Sequence, residues 1–204
     1  MKALQGIRIL DLTHMLSGPY AGMILADLGA ESIKVEPPVT GEGTRRLLEK
    51  DPKNSLNGFG AYYMTLNRNK KSITLDLKSE KGLQVFYELV KTADIVLSNF
   101  SAGVTTRLKI DYDHLSKINP RIITCTVTGF GETGPNKDRT AFDMVAQAMG
   151  GGMSITGQPG NPPTRSGLPI GDLGGGLMGV IGVLAALQAR HTTGRGQHVD
   201  ISML

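Results

Sequence analysis

The chain has 204 residues, 40% of them hydrophobic, 20% charged and 5% aromatic, with no tryptophan and a net charge of +4. This is an ordinary globular composition, rich enough in apolar residues for one sizeable core and free of repeats or low-complexity segments. The mild positive charge suits a small anionic ligand, and with no run of Lys and Arg interleaved with aromatics a nucleic-acid partner is not expected.

In chain order, residues 7–12 are a short apolar run that predicts a strand. Residues 19–28 predict a helix stopped by Gly29, and residues 32–36 a second strand ended by Pro37 and Pro38. The polar stretch 39–57, with Gly41, Gly43 and mixed charges, predicts a long loop or lid. Residues 72–77 alternate as a strand, and residues 79–92 are amphipathic, with Leu83, Phe86, Tyr87 and Val90 on one helical face. A strand at 94–97, a short helix at 113–118 closed by Asn119 and Pro120, and an apolar-leaning strand at 121–128 follow. This order predicts an α/β fold, Rossmann-like, with a mostly parallel sheet and helices on both faces. Such sheets bind ligands beyond the carboxyl ends of their strands.

From Phe142 the character shifts. Residues 142–149 predict a helix broken by Gly150, Gly151 and Gly152, then a Gly/Pro-rich loop runs to Gly171. A helix-like run spans 177–190, a turn 194–197, and a new element starts at His198 and continues to Met203. The single cysteine, Cys125, permits no intrachain disulfide and reads as a buried, inert thiol. No secretory apolar segment opens the sequence, and the longest apolar run, 177–189, is too short and too broken by glycine to span a bilayer. A cytoplasmic protein without a membrane segment is therefore expected.

Among the ionisable residues, Asp172 has the most pointed setting. It lies between the Gly/Pro-rich loop and the apolar helix, flanked by Gly171 and by Gly174, Gly175 and Gly176. The free backbone N–H groups at a helix start would favour its ionised form, and the glycines let a bulky substrate approach. A carboxylate so placed is either a simple helix N-cap or a nucleophile. Gly129, Gly131 and Gly134 match G-x-G-x-x-G after a strand, but the next residues do not open a helix, so a dinucleotide site is not expected. None of His14, His114, His191 and His198 has metal-ligand spacing, and no metal is expected. His14 follows the first strand, where ligands bind, while His114 and His191 read as surface residues. Arg68, Lys70 and Lys71 are either a solvated turn or a phosphate clamp.

Several strings together carry a resemblance: 4–12, Ser17-Gly18-Pro19, 25–30 running into 33–37, Asn69-Lys70-Lys71-Ser72, and Leu75-Asp76-Leu77-Lys78. Asn99-Phe100, Asn119-Pro120-Arg121, 128–131, Gly171-Asp172, 184–187 and 193–197 complete the set. In this order the chain resembles the class III CoA-transferases, the formyl-CoA and carnitine CoA-transferase family, over its whole length, as an amino-terminal half. The resemblance implies that residues 1–204 are the amino-terminal part of a large domain. Its sheet would be completed by a later segment, with a second small domain and an interlocked homodimer in the full-length protein. It implies CoA and acyl-CoA as substrates, no permanently bound cofactor, and a carboxylic acid as acceptor.

The same resemblance makes Asp172 the nucleophile that attacks the thioester and becomes an aspartyl-CoA intermediate. It assigns CoA contacts to Leu16 and Ser17, to Leu75, Asp76, Leu77 and Lys78 at the adenosine end, to Asn99, Phe100 and Ser101 on the thiol arm, and to Arg107 at phosphate. Thr140, Ala141, Phe142 and Asp143 match a pantetheine-side segment, although the family's Lys and Tyr are Thr140 and Phe142 here. Lys137 or Arg139 would then supply the missing charge. Leu16 stands where formyl-CoA transferases carry Gln, which weighs against formyl-CoA and oxalate as substrates. The related α-methylacyl-CoA racemases need a His at the position of Phe142, which cannot transfer a proton. A CoA-binding but inactive fragment is the third reading. A sheet lacking its closing strands also predicts that these residues alone are marginally folded and prone to associate.

Overall fold

Short apolar runs that are buried on both faces are the mark of a parallel sheet, and three of the strands here have that pattern. In a computed structural model that describes residues 2–204, strands β1 (Arg8–Asp11), β2 (Glu31–Glu36), β5 (Lys70–Thr74), β6 (Ile95–Ser98), β7 (Ile123–Thr128) and β8 (His198–Ser202) form one sheet. Its order is β5-β2-β1-β6-β7-β8, and every pairing is parallel. A two-stranded antiparallel ribbon, β3 (Ser55–Leu56) and β4 (Phe59–Gly60), stands apart from it.

Alternation along the strands divides the core in two. Ile9, Ile95, Leu97, Ile123, Cys125 and Val127 face helices α1 (Ser17–Asp27) and α7 (Ile170–Thr193), meeting Ala21, Leu25, Val180, Val183 and Ala186. Leu10, Val35 and Val96 face the other way, onto Phe86 and Val90 of α3 (Glu80–Val90) and Leu115 of α5 (Tyr112–Ile118). Helix α3 starts on the Ser79 hydroxyl, which accepts from Gly82 N, and α5 on Asp111, which accepts from His114 N. Cys125 is buried and unpaired, and burial pushes its thiol up to about 12, as an inert thiol requires.

The α/β architecture is the one read from the sequence, with local differences. The third strand runs over 70–74 rather than 72–77, because Lys70 is drawn inward beside Asp11 and the chain turns after Leu75, whose N–H bonds to Glu36 O. Leu75 and Leu77 keep the alternating pattern because both still pack on the α3 face of the core. The stretch read as a loop, 39–57, holds a 3-10 turn (Gly43–Arg45) and β3, and β4 and helix α2 (Ala61–Leu66) follow it. A one-turn helix, α4 (Val104–Arg107), was also not foreseen.

Helix α7 starts seven residues before the predicted run and is 24 residues long, so the expectation that this segment is too short for a bilayer is corrected. Its apolarity and its glycines have a local reason: a side chain at Gly176 would come within 2.6 Å of Ser17 O, so α7 and α1 touch through backbone. Strand β8 is a full edge strand on β7, more than the beginning of an element.

Candidate active site at the carboxyl ends of the strands

Strand β1 pairs with β2 on one side and β6 on the other, so the crevice of this sheet opens beyond Asp11. The loop leaving β1 there is held residue by residue. Asp11 Oδ1 accepts from Thr13 N at 2.9 Å and from the Thr13 hydroxyl, and Lys34 Nζ donates to Thr13 O at 2.6 Å. Asn99 clamps His14, accepting its N–H at 2.9 Å and donating to its carbonyl at 2.6 Å. Glu42 Oε1 accepts from Met15 N at 3.0 Å, which fixes Met15 at the unusual φ of 63°. Asp11 itself is fully buried, 2.8 Å from Lys70 Nζ and 4.0 Å from Lys34 Nζ. Burial pushes its pKa up, but the two ammonium groups more than offset this and hold it at about 2.

Asp172 comes from the opposite wall. It is the third residue of α7, and Pro169 holds the N-cap position, so the N-cap reading of Asp172 is overturned. The helix start is instead capped by Asp143, the first residue of α6 (Asp143–Met149). Its Oδ1 accepts from Gly171 N at 2.8 Å and from Asp172 N at 3.3 Å. Asp143 Oδ2 accepts from Gln147 Nε2 at 2.7 Å, and Gln147 Oε1 accepts from Ser166 N at 2.8 Å, which ties the Gly/Pro-rich loop to α6.

The N–H groups expected to favour an ionised Asp172 therefore go to another carboxylate, Asp143. Burial first, and the Asp143 charge second, push Asp172 up to about 6, with a hydrogen bond from Ser17 opposing them.

Two adjoining cavities lie along this edge, with His14 and Phe100 in the walls of both. The first, about 190 Å³, brings Asp172 together with Leu16, Ser17, Asn99, Phe100 and Ser101, and with Thr140, Ala141 and Phe142. Lys137, Arg139, Tyr62 and Met203 also face it. The second, about 340 Å³ and largely apolar, gathers Leu75, Asp76, Leu77 and Lys78 between the ends of β2 and β5. His14 is thus in the site, and its ring lies 5.3 Å from that of Phe100. Burial lowers its pKa, ahead of the opposing Glu42 charge.

Three groups of candidate residues stand outside the two cavities. Arg107 is exposed at the end of α4 and lines neither cavity. Asp143 is buried with both oxygens committed to protein groups, so it shapes the site from behind. In the basic cluster Lys70 is buried against Asp11, while Lys71 pairs with Glu31 and Arg68 with Asp27 at the surface. The 129–134 glycines open no helix, since the next one begins at Asp143. Sequence reasoning missed Tyr62, which sits on a six-residue helix too short to show a period.

A family model described as CoA-transferase family III matches residues 4–204. The chain is 47% identical over 203 residues to a formyl-CoA:oxalate CoA-transferase of Streptomyces avermitilis, covering 99% of this chain and 48% of that protein. It is 41% identical over 205 residues to a succinate–glutarate CoA-transferase of Agrobacterium fabrum, covering 98% of this chain and 51% of that one. A crystal structure of a CAIB/BAIF family protein from Brucella suis superposes with a TM-score of 0.92 at 40% identity, covering 99% of this chain and 53% of that one. The chain therefore spans about half the length of the curated relatives it matches.

Proposed function

Because the chain belongs to CoA-transferase family III, we propose that it moves CoA from an acyl-CoA thioester to a free carboxylic acid, with Asp172 as the covalent carrier. The observation that carries this reading is the Asp172 carboxylate facing a cleft at the strand ends, beside a glycine-backed helix start. With its pKa at about 6, Asp172 is mostly ionised at neutral pH and more basic than an ordinary carboxylate, which favours nucleophilic attack.

In the first step an Asp172 oxygen bonds to the thioester carbonyl carbon, the C–S bond breaks and CoA leaves as thiolate, giving a mixed anhydride. The thiolate then attacks the Asp172 acyl carbon and expels the donor as a free carboxylate, leaving an aspartyl-CoA thioester. An acceptor carboxylate runs the same two steps in reverse. Charge is conserved throughout, and the anhydride must be kept from water. The apolar cavity beside Leu75, Leu77 and Lys78 suits the adenosine end of CoA, and Lys137 and Arg139 are cations for the anionic groups near Asp172.

The named relatives exchange CoA with oxalate or glutarate, which supports a small carboxylic acid as acceptor. Leu16 makes the wall beside Asp172 apolar and leaves the acceptor to be held by other groups. The relatives' greater length leaves room for a second domain in the whole protein; an interlocked homodimer and a cytoplasmic location are part of the same proposal, which sedimentation and fractionation test. The decisive experiment is Asp172→Ala in the longest natural polypeptide carrying this sequence. Transfer is abolished while CoA binding by calorimetry is kept. A tenth of the rate surviving in Asp172→Ala overturns the reading.

A further inference from the structure

We infer that Tyr62 is a second catalytic residue of this cleft, whose phenol donates a hydrogen bond to the carbonyl oxygen of the acyl group being transferred at Asp172. The inference rests on the proposed transfer and deepens it.

Tyr62 and Tyr63 are neighbours on α2, about 100° apart around the helix. Tyr63 turns to protein. Its hydroxyl lies 2.6 Å from Arg45 Nη2, and its ring lies 4.1 Å from the same guanidinium, which in turn holds the buried Glu36 through two bonds of 2.6 Å. Gly60 adds to this anchorage, because a side chain there would strike Leu47 O at 1.6 Å, so α2 begins with its backbone against residues 47–49. With Tyr63 fixed in this way, Tyr62 is presented to the other side, into the cleft that holds Asp172.

Of the two half-buried tyrosines whose hydroxyls have no protein partner among the described residues, Tyr20 and Tyr62, only Tyr62 lines the Asp172 cleft. Tyr63 bonds with Arg45, Tyr87 donates to Lys109 O at 3.0 Å, and Tyr112 donates to Gly196 O at 2.8 Å. The Tyr62 hydroxyl has no protein partner among the described residues, although its side chain is half-buried. The hydroxyl is free to bond water or a ligand, and the residue lines the cleft that holds Asp172. Burial, then the charges of Asp172 and Glu42, hold its proton on. It is therefore a donor over the working pH range and never a base.

During each attack the carbonyl oxygen gains negative charge as the carbon becomes tetrahedral, and it loses that charge when the C–S or C–O bond breaks. The phenol strengthens its hydrogen bond to this oxygen without giving up its proton, so no acid or base is consumed. Leu16, Phe142 and Met203 supply the apolar part of the wall, and a donor fixed by α2 needs no reorganisation when the charge develops.

The test is Tyr62→Phe in the longest natural polypeptide carrying this sequence, with Tyr63→Phe and Asp172→Ala beside it. Tyr62→Phe lowers kcat roughly 100-fold and leaves KM for acyl-CoA within about twofold, the pattern of a transition-state donor. Tyr63→Phe lowers the melting temperature and spares kcat. A Tyr62→Phe enzyme that keeps more than half its kcat, or loses activity through KM alone, overturns the inference.

If the unsubstituted protein shows no transfer, or Asp172→Ala transfers as well as it does, the proposed function fails and this inference falls with it. Should Tyr62→Phe fold poorly, ultraviolet titration decides. Asp172→Asn lowers the pKa of one phenol, and that phenol is absent from the Asp172→Asn/Tyr62→Phe pair. An unmoved phenol spectrum in Asp172→Asn means that Tyr62 does not face Asp172, and the inference is wrong.

Discussion

Asp11 ends β1 and Asp172 lies in the first turn of α7, and the loop from Thr13 to Leu16 leads from Asp11 to the cleft that Asp172 lines. Burial pushes both carboxyls upward, yet Asp11 titrates at about 2 and Asp172 at about 6. Their neighbours make the difference. Two ammonium groups meet Asp11, while a second carboxylate meets Asp172. The first arrangement is a fastening, in which the charge is neutralised and the loop backbone is hung on it. The second keeps a carboxylate under-compensated in a cavity, a condition that suits chemistry better than stability.

The sharpest way to break this comparison is Asp11→Asn. Removing the anion leaves Lys34 and Lys70 buried beside each other, and stability should fall by about 3–5 kcal/mol. Urea denaturation measures the loss, and Lys70→Met in the same chain recovers part of it. A loss below about 1 kcal/mol would mean that the pair is not a fastening.

The second prediction has the opposite sign. The folded pKa of Asp172 lies above its ordinary value of 3.8, so its contribution to stability is complete below pH 3.8 and is lost as the pH rises through about 6. Asp11 behaves inversely: its contribution is present above 3.8 and is lost as the pH falls through about 2. Asp172→Asn should therefore raise stability at pH 7 by on the order of 1–2 kcal/mol, after discounting for partial exposure, with no gain below pH 4. Paired denaturation curves at the two pH values check it, and an equal gain at both would remove the electrostatic cause.

Asp143→Asn sharpens the comparison further. The amide oxygen still accepts from Gly171 N, but the charge next to Asp172 is gone. The acid limb of the transfer rate should move to lower pH, because the second cause of the raised Asp172 pKa has been removed. A pH–rate profile identical to that of the unsubstituted protein would show that burial alone sets the value.

The smallest effect is expected at Lys71, next to Lys70 on the same strand but 72% exposed in its pair with Glu31. Lys71→Ala should change stability by less than about 0.5 kcal/mol, and that change should vanish in high salt.

Much of the fold was legible because it rests on local periodicity. The double-sided burial of β1, β6 and β7 follows from short apolar runs, and the α3 face from Leu83, Phe86, Tyr87 and Val90. The place of Asp172 near a helix start was legible too, since a glycine-flanked carboxylate beside an apolar run is a pattern within a dozen residues.

What the sequence left open depends on contacts between distant segments. The cap of α7 comes from Asp143, 28 residues before Gly171, and the partner of Lys70 is Asp11 on another strand. Neither pairing has a local signature, and the protonation of each carboxyl follows from how many charges of each sign the fold collects around it. Tyr62 and Tyr63 are one dipeptide in the sequence. Only the docking of α2 turns one toward Arg45 and the other toward the cleft.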